Sequence, residues 1–146
     1  MISLSGMVLL GVLGMIMLYA YELYAIETDN LKTFRLGMAA KNFAVSRAAI
    51  VADDYQRSRA LWQQDMARAQ SESSYSYAYM ADSQAQLQQS EAGSMQMTAQ
   101  TYLMRSNVDE ALYILSVHAT ADDVQGQVRL YLQNKDGEAV VQRWER

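Results

Sequence analysis

The sequence predicts an α+β protein: a long N-terminal helix, membrane-spanning in its first half, whose second half packs on a small antiparallel β-meander. Three observations carry that expectation. The first charged residue is Glu22, and residues 1–21 read MISLSGMVLLGVLGMIMLYAY. Residues 23–68 are rich in Ala, Leu, Met, Gln, Arg and Lys, good helix formers, with apolar positions at three- and four-residue steps. After Gly93 the period shortens to two and turn residues punctuate the chain.

The apolar run is long enough to cross a bilayer, which takes about 20 apolar residues. A cleaved secretory signal fits it poorly, because the charged leading segment is missing. Tyr19, Tyr21 and Tyr24 cluster where the run ends, as interfacial aromatics do. Within the run, Gly11 and Gly14 offer close approach to neighbouring helices, with Leu10, Leu13 and Met17 beside them as packing residues. Lys32, Arg35 and Lys41 follow the run and no Lys or Arg precedes it, so charge alone leaves the C-terminal part in the cytoplasm.

Helical character continues over residues 25–70. Leu31, Phe34, Met38, Val45, Ala49 and Ala52 define one apolar stripe, and Phe43, Ile50 and Leu61 a neighbouring face. The chain contains no proline, so nothing forces a kink into a helix running from residue 3 to 68, and Gly37 is its weak point. Residues 71–93 turn to Ser, Gln, Ala and Tyr and read as a linking region with a short helix over 82–89. Tyr75, Tyr77 and Tyr79 alternate with small residues, a strand-like period.

The sheet occupies 94–146. Strands are expected over 95–104, 111–120, 127–134 and 138–144, with turn chemistry at Asp122, Asp123 and Gly126 and a hairpin at Lys135-Asp136-Gly137. Ile114, Val128, Leu130, Leu132, Val140 and Trp144 are the expected sheet core, with Val141 the alternative in the last strand, and the second half of the helix is its cover.

Catalytic chemistry finds no support. The lone histidine, His118, sits mid-strand without a serine–carboxylate arrangement around it, so a satisfied or solvent-facing role is expected. One histidine and scattered carboxylates lack metal-ligand spacing, and there are no cysteines, which excludes thiol catalysis, thiolate zinc and disulfides. A net charge of −4 speaks against direct nucleic-acid binding. The expectation is a protein that is not an enzyme and takes no cofactor or metal.

The stretch Ser5-Gly6-Met7-Val8-Leu9-Leu10, a glycine followed by methionine and aliphatics, resembles the start of a type IV prepilin, and the long helix followed by a meander extends the resemblance over the chain. It is similar to minor pilins and type II secretion pseudopilins. The resemblance implies cleavage between Gly6 and Met7 by a membrane prepilin peptidase, N-methylation of Met7, and a division into a leader (1–6), a transmembrane half-helix (7–24), an amphipathic continuation (25–70), a linking region (71–93) and the sheet. It also implies a single-pass inner-membrane protein of a bacterium, with its C-terminal domain in the periplasm, whose N-terminal helix packs among other pilin-like subunits of a pilus, DNA-uptake or secretion filament. Three departures stand out: residues 1–5 carry no Lys or Arg, Gly11 occupies the fifth place after the cut where most members have glutamate, and the paired C-terminal cysteines are missing. A subunit that initiates or caps a filament at its tip can lack that glutamate. The alternative is an unprocessed single-pass scaffold or binding subunit of another envelope complex.

Overall fold

The computed structural model describes residues 4–71, 77–78, 83–89 and 93–145. The architecture is α+β, as the sequence predicts. Helix α1 spans Leu4–Arg57 and α2 spans Arg59–Ser71. Strands β1 (Tyr77–Ala78), β2 (Ser83–Gln89), β3 (Gly93–Arg105), β4 (Leu112–Ala121), β5 (Val124–Lys135) and β6 (Glu138–Glu145) form one antiparallel sheet. The chain divides into two units, Met1–Arg35 and Leu36–Arg146.

In the first unit, α1 is helical from Leu4 onward, and every residue from Met7 to Arg35 is exposed. An 18-residue window there has a mean hydropathy of 1.8 with none of it buried, so the helix is long and apolar enough to cross a membrane. Leu31 and Phe34, two members of the expected packing stripe, are exposed here.

In the second unit, the sheet runs β1–β3–β4–β5–β6, and β2 pairs with the other half of β3. The short turns dictate that order. Asp122, at φ 50°, turns β4 into β5 and accepts the Gln96 backbone N–H through Oδ1. Asp136 and Gly137, at φ 55° and 82°, make the two-residue connection from β5 to β6 whose left-handed conformations match the strand twist. Gly126 belongs to β5 rather than to the preceding turn. Residues 83–89 form a strand and not a helix: their backbone pairs in register with β3, from Ser83 opposite Ala99 to Gln89 opposite Gly93. Tyr77 pairs with Leu103 in β1, while Tyr75 and Tyr79 lie outside the described residues.

The helix does not weaken at Gly37. It is interrupted at Ser58, where Ser58 Oγ accepts the Leu61 backbone N–H and so caps α2. The bonds from Ser58 N to Asp54 O and from Trp62 N to Ser58 O keep the backbone ladder going across the cap. On the helix surface Arg57 and Asp53 meet at 2.9 Å, whereas Arg59 donates to the Asp136 carbonyl at the β5–β6 turn.

The face that α1 lays on the sheet is not the expected stripe. Leu36, Ala40, Ala44, Ala48, Val51 and Tyr55 are buried, joined by Ala52, the one member of that stripe to be so. Met38 and Ile50 remain about half exposed. Bulk was the misleading signal, because here helix and sheet meet through small residues. Ala44 and Ala48 pack on Ala99, Val117, Ala119 and Val128. A Cβ on Gly126 would come within 2.7 Å of the Lys41 backbone nitrogen and 2.9 Å of the Ala40 carbonyl carbon, so the strand touches the helix backbone itself.

Towards α2 the core grows larger. Trp62 is fully buried among Leu103, Leu115, Leu130 and Leu132, edge-on to Tyr55 at 5.1 Å and to Tyr113 at 5.3 Å. Val128, Leu130 and Leu132 are buried as the alternation of β5 requires, and Trp144 is half-buried against the same core. Ile114 and Val140 are corrections. Ile114 shares its parity with Ser116, His118 and Thr120, which places it on the outer face, and Tyr113, Leu115 and Val117 fill the core instead. In β6, Arg143 pairs with Tyr131 and Val141 with Leu132, which leaves Gln142 as an extra residue. That bulge reverses the side-chain alternation, so Val141 packs with Trp144 on the core while Val140 sits half-buried opposite Gln133.

Asp65 lies inside this core at 2% exposure and accepts the Tyr55 hydroxyl at 2.9 Å. Burial pushes its carboxyl above the usual aspartate value, although the Tyr55 bond and the charge of Arg68 oppose the shift. The folded chain therefore holds this proton more tightly than the unfolded chain. The resulting stability is fully present below the unfolded value and is lost as pH rises through the folded one. Asp65→Asn keeps an acceptor for Tyr55 and removes the buried charge. It is expected to raise stability at pH 7 by up to about 1 kcal/mol, a gain that disappears in melts taken below the ordinary aspartate value of 3.8.

Candidate functional site

Two surfaces carry the functional signals, one in each unit. In the first unit Gly6 and Met7 lie inside the first turns of α1, with Met7 61% exposed. Leu10, Leu13 and Met17 are exposed, and a Cβ added at Gly11 or Gly14 would meet nothing within 4 Å. The expected packing residues thus all face outward on an uncovered apolar helix. Aliphatic side chains held in this way are unfavourable in water and stabilised in hydrocarbon.

In the second unit the sheet has one face on the helices and one open. The ladder registers line up the open face in cross-strand rows. Gln100 of β3, His118 of β4 and Gln127 of β5 form the central row. Thr98, Thr120 and Gln125 form the row on one side, and Tyr102, Ser116 and Arg129 the row on the other. The first two rows and Tyr102 line a depression of about 610 Å³.

Hydrogen bonds stitch the rows together. Ser116 Oγ and His118 Nε2 are 3.1 Å apart, and Gln127 Nε2 donates to Ser116 Oγ at 3.2 Å. Tyr102 donates to Gln100 Oε1 at 2.8 Å, and the Thr98 and Thr120 hydroxyls meet at 2.5 Å. The Tyr102 ring stands edge-on to His118 at 5.8 Å. These bonds hold the side chains in place across three strands.

A serine beside a histidine invites a nucleophilic reading, which requires a carboxylate orienting the imidazole and an oxyanion-binding group. Glu145, a carboxylate from β6 on this face, accepts from the Tyr131 hydroxyl at 2.7 Å. Among the described residues no group of three or more His, Cys, Asp or Glu side chains is placed to hold a metal ion. The depression is lined by amide, hydroxyl and imidazole groups, with Arg129 and Glu145 on the same face outside it. His118 taken singly gives no sign of the grid around it. Its signal was available: polar residues hold one parity in three consecutive strands, at 98, 100 and 102, at 116, 118 and 120, and at 125, 127 and 129.

Comparison of the chain with models of protein families, with curated proteins and with solved structures finds no match.

Proposed function

We propose that this chain is a minor pilin or pseudopilin-like subunit, a non-enzymatic protein that helps initiate or cap a type IV pilus-like filament. The observation that carries the reading is the apolar, uncovered first part of α1, in a chain whose sheet unit already has a core of its own. The mechanism is insertion of that segment in the inner membrane, release by prepilin peptidase between Gly6 and Met7, and packing of the helix among those of like subunits, with the sheet unit on the periplasmic side. Gly11, lacking a carboxylate, suits a subunit with no neighbour above it to engage.

A second reading, an unprocessed single-pass scaffold of another envelope complex, is favoured by one observation. Helix α1 starts at Leu4, so the Gly6–Met7 bond is helical, whereas a peptidase must take a bond in extended form. Mass spectrometry of the mature N-terminus, from cells with active prepilin peptidase, separates the two. The pilin reading expects a chain that begins at N-methylated Met7, and complete loss of that species in Gly6→Trp. An intact Met1 in the unmodified protein overturns it in favour of the scaffold.

A further inference from the structure

We propose that the open face of the sheet, centred on the Gln100–His118–Gln127 row, is a binding site for an uncharged polyhydroxylated chain, that is, a saccharide. Arg129 and Glu145 share this face, but the depression within it is lined by uncharged side chains. The residues lining the depression include no Asp, Glu, Lys or Arg, so an ion would leave water without a countercharge. An extended peptide docks most readily along a strand edge, where backbone groups are unpaired. On this face the N–H and C=O groups of β4 are already committed to β3 and β5.

The face is instead dense in groups that both donate and accept, as sugar hydroxyls do. Tyr102 occupies the carbonyl of Gln100, which leaves that residue's amide N–H donors pointing to new partners. Gln127 uses its amide nitrogen on Ser116 and keeps its carbonyl. Gln125 extends the array with a further amide, and the paired Thr98 and Thr120 hydroxyls retain lone pairs. Tyr102, held edge-on to His118, adds aromatic surface for the apolar C–H face of a pyranose ring.

Spacing agrees with chemistry. Neighbouring strands lie about 4.8 Å apart and alternate residues about 6.8 Å apart along each strand. The two rows on three strands, extended along β3 by Tyr102, therefore present a platform of roughly 10 by 14 Å at its longest. The 610 Å³ depression above it lies within the range of small-ligand sites, roughly 300–1,000 Å³. Because the side chains are cross-linked before any ligand arrives, little ordering cost remains for binding.

The test is calorimetric titration of the full chain, in lipid nanodiscs, with chitotetraose and with maltotetraose. Saturable binding of at least one is expected, weakened at least tenfold by Tyr102→Ala and by Gln127→Ala and unchanged in Val108→Ser, a substitution at an exposed loop residue. Each variant is compared by its thermal melt, which these open-face substitutions are expected to leave near that of the unmodified chain. Absence of saturable binding to both oligosaccharides overturns the proposal. So does binding that the Tyr102 and Gln127 variants leave unchanged, or displacement of the sugar by sodium sulfate at matched ionic strength. None of these outcomes depends on cleavage at Gly6, so the proposal and the filament reading stand or fall separately.

Discussion

Replacing Trp62 with alanine is expected to cost about 3–5 kcal/mol of stability, enough to lower Tm by roughly 15 °C. Trp62 is fully buried and touches both aromatic neighbours, Tyr55 and Tyr113, in edge-on geometry. Its indole N–H also reaches Asn134 Oδ1 at 3.3 Å, which ties α2 to the end of β5. Truncation leaves a cavity between a helix and a sheet that are each braced by hydrogen bonds and collapse only in part. Trp62→Phe separates the terms, since it keeps a ring in the pocket and forfeits the Asn134 bond, and a loss of about 1–2 kcal/mol is expected. The chain has two tryptophans, so Trp144 remains in both variants, and urea unfolding followed by its fluorescence and by far-ultraviolet circular dichroism compares them with the unmodified chain. A change under 1 kcal/mol in Trp62→Ala would show that this aromatic cluster does not anchor α2.

Gly126→Ala is expected to be the most damaging single-methyl addition, at about 2–3 kcal/mol. The new carbon would lie 2.7 Å from Lys41 N and 2.9 Å from Ala40 C, and both are backbone atoms that no rotamer change can move away. Either β5 bends outward or α1 lifts off the alanines beneath it. Gly37→Ala is the matched control on the opposite side of the same contact. There the added carbon meets Val124 Cγ1 at 3.7 Å, an ordinary contact, so the helix gains up to about 1 kcal/mol from the better helix former. Thermal melts of the two variants should therefore move in opposite directions. Equal shifts would mean that helix and sheet are not in backbone contact at Gly126.

The strand plan was legible because its signals are local. Lys135-Asp136-Gly137 names its own turn, and Val128, Leu130 and Leu132 alternate with polar partners without ambiguity. Side-chain facing was less legible where both faces of an element carry apolar residues. In β4, Ile114 and Leu115 look equally suited to the core, and parity with Ser116, His118 and Thr120 decides between them. In β6 the deciding event is the extra residue Gln142, which is visible only once β5 supplies the register. For α1 the error has a different origin. Apolar bulk marked Leu31, Phe34 and Met38, yet the contact is chosen by how closely backbones approach, and that selects Ala40, Ala44 and Ala48. The Ser58 cap was passed over because the ladder of backbone bonds continues through it. Strand β2 was passed over because its residues gain their pairing from β3, a partner outside the segment itself.

The alanine seam has a consequence of its own. Ala40, Ala44 and Ala48 repeat every four residues, so sliding α1 by one turn along the sheet would put one alanine where another had been, with no change in bulk. Among the alanines themselves, bulk thus sets no preferred stop. The stops lie at the ends of the seam: Leu36 seated against Met97 and Ala121, and Tyr55 locked to Trp62 and Asp65. The lengthwise setting of the helix is therefore held by its two ends like a bolt between two nuts, and loosening either one frees the shaft between them.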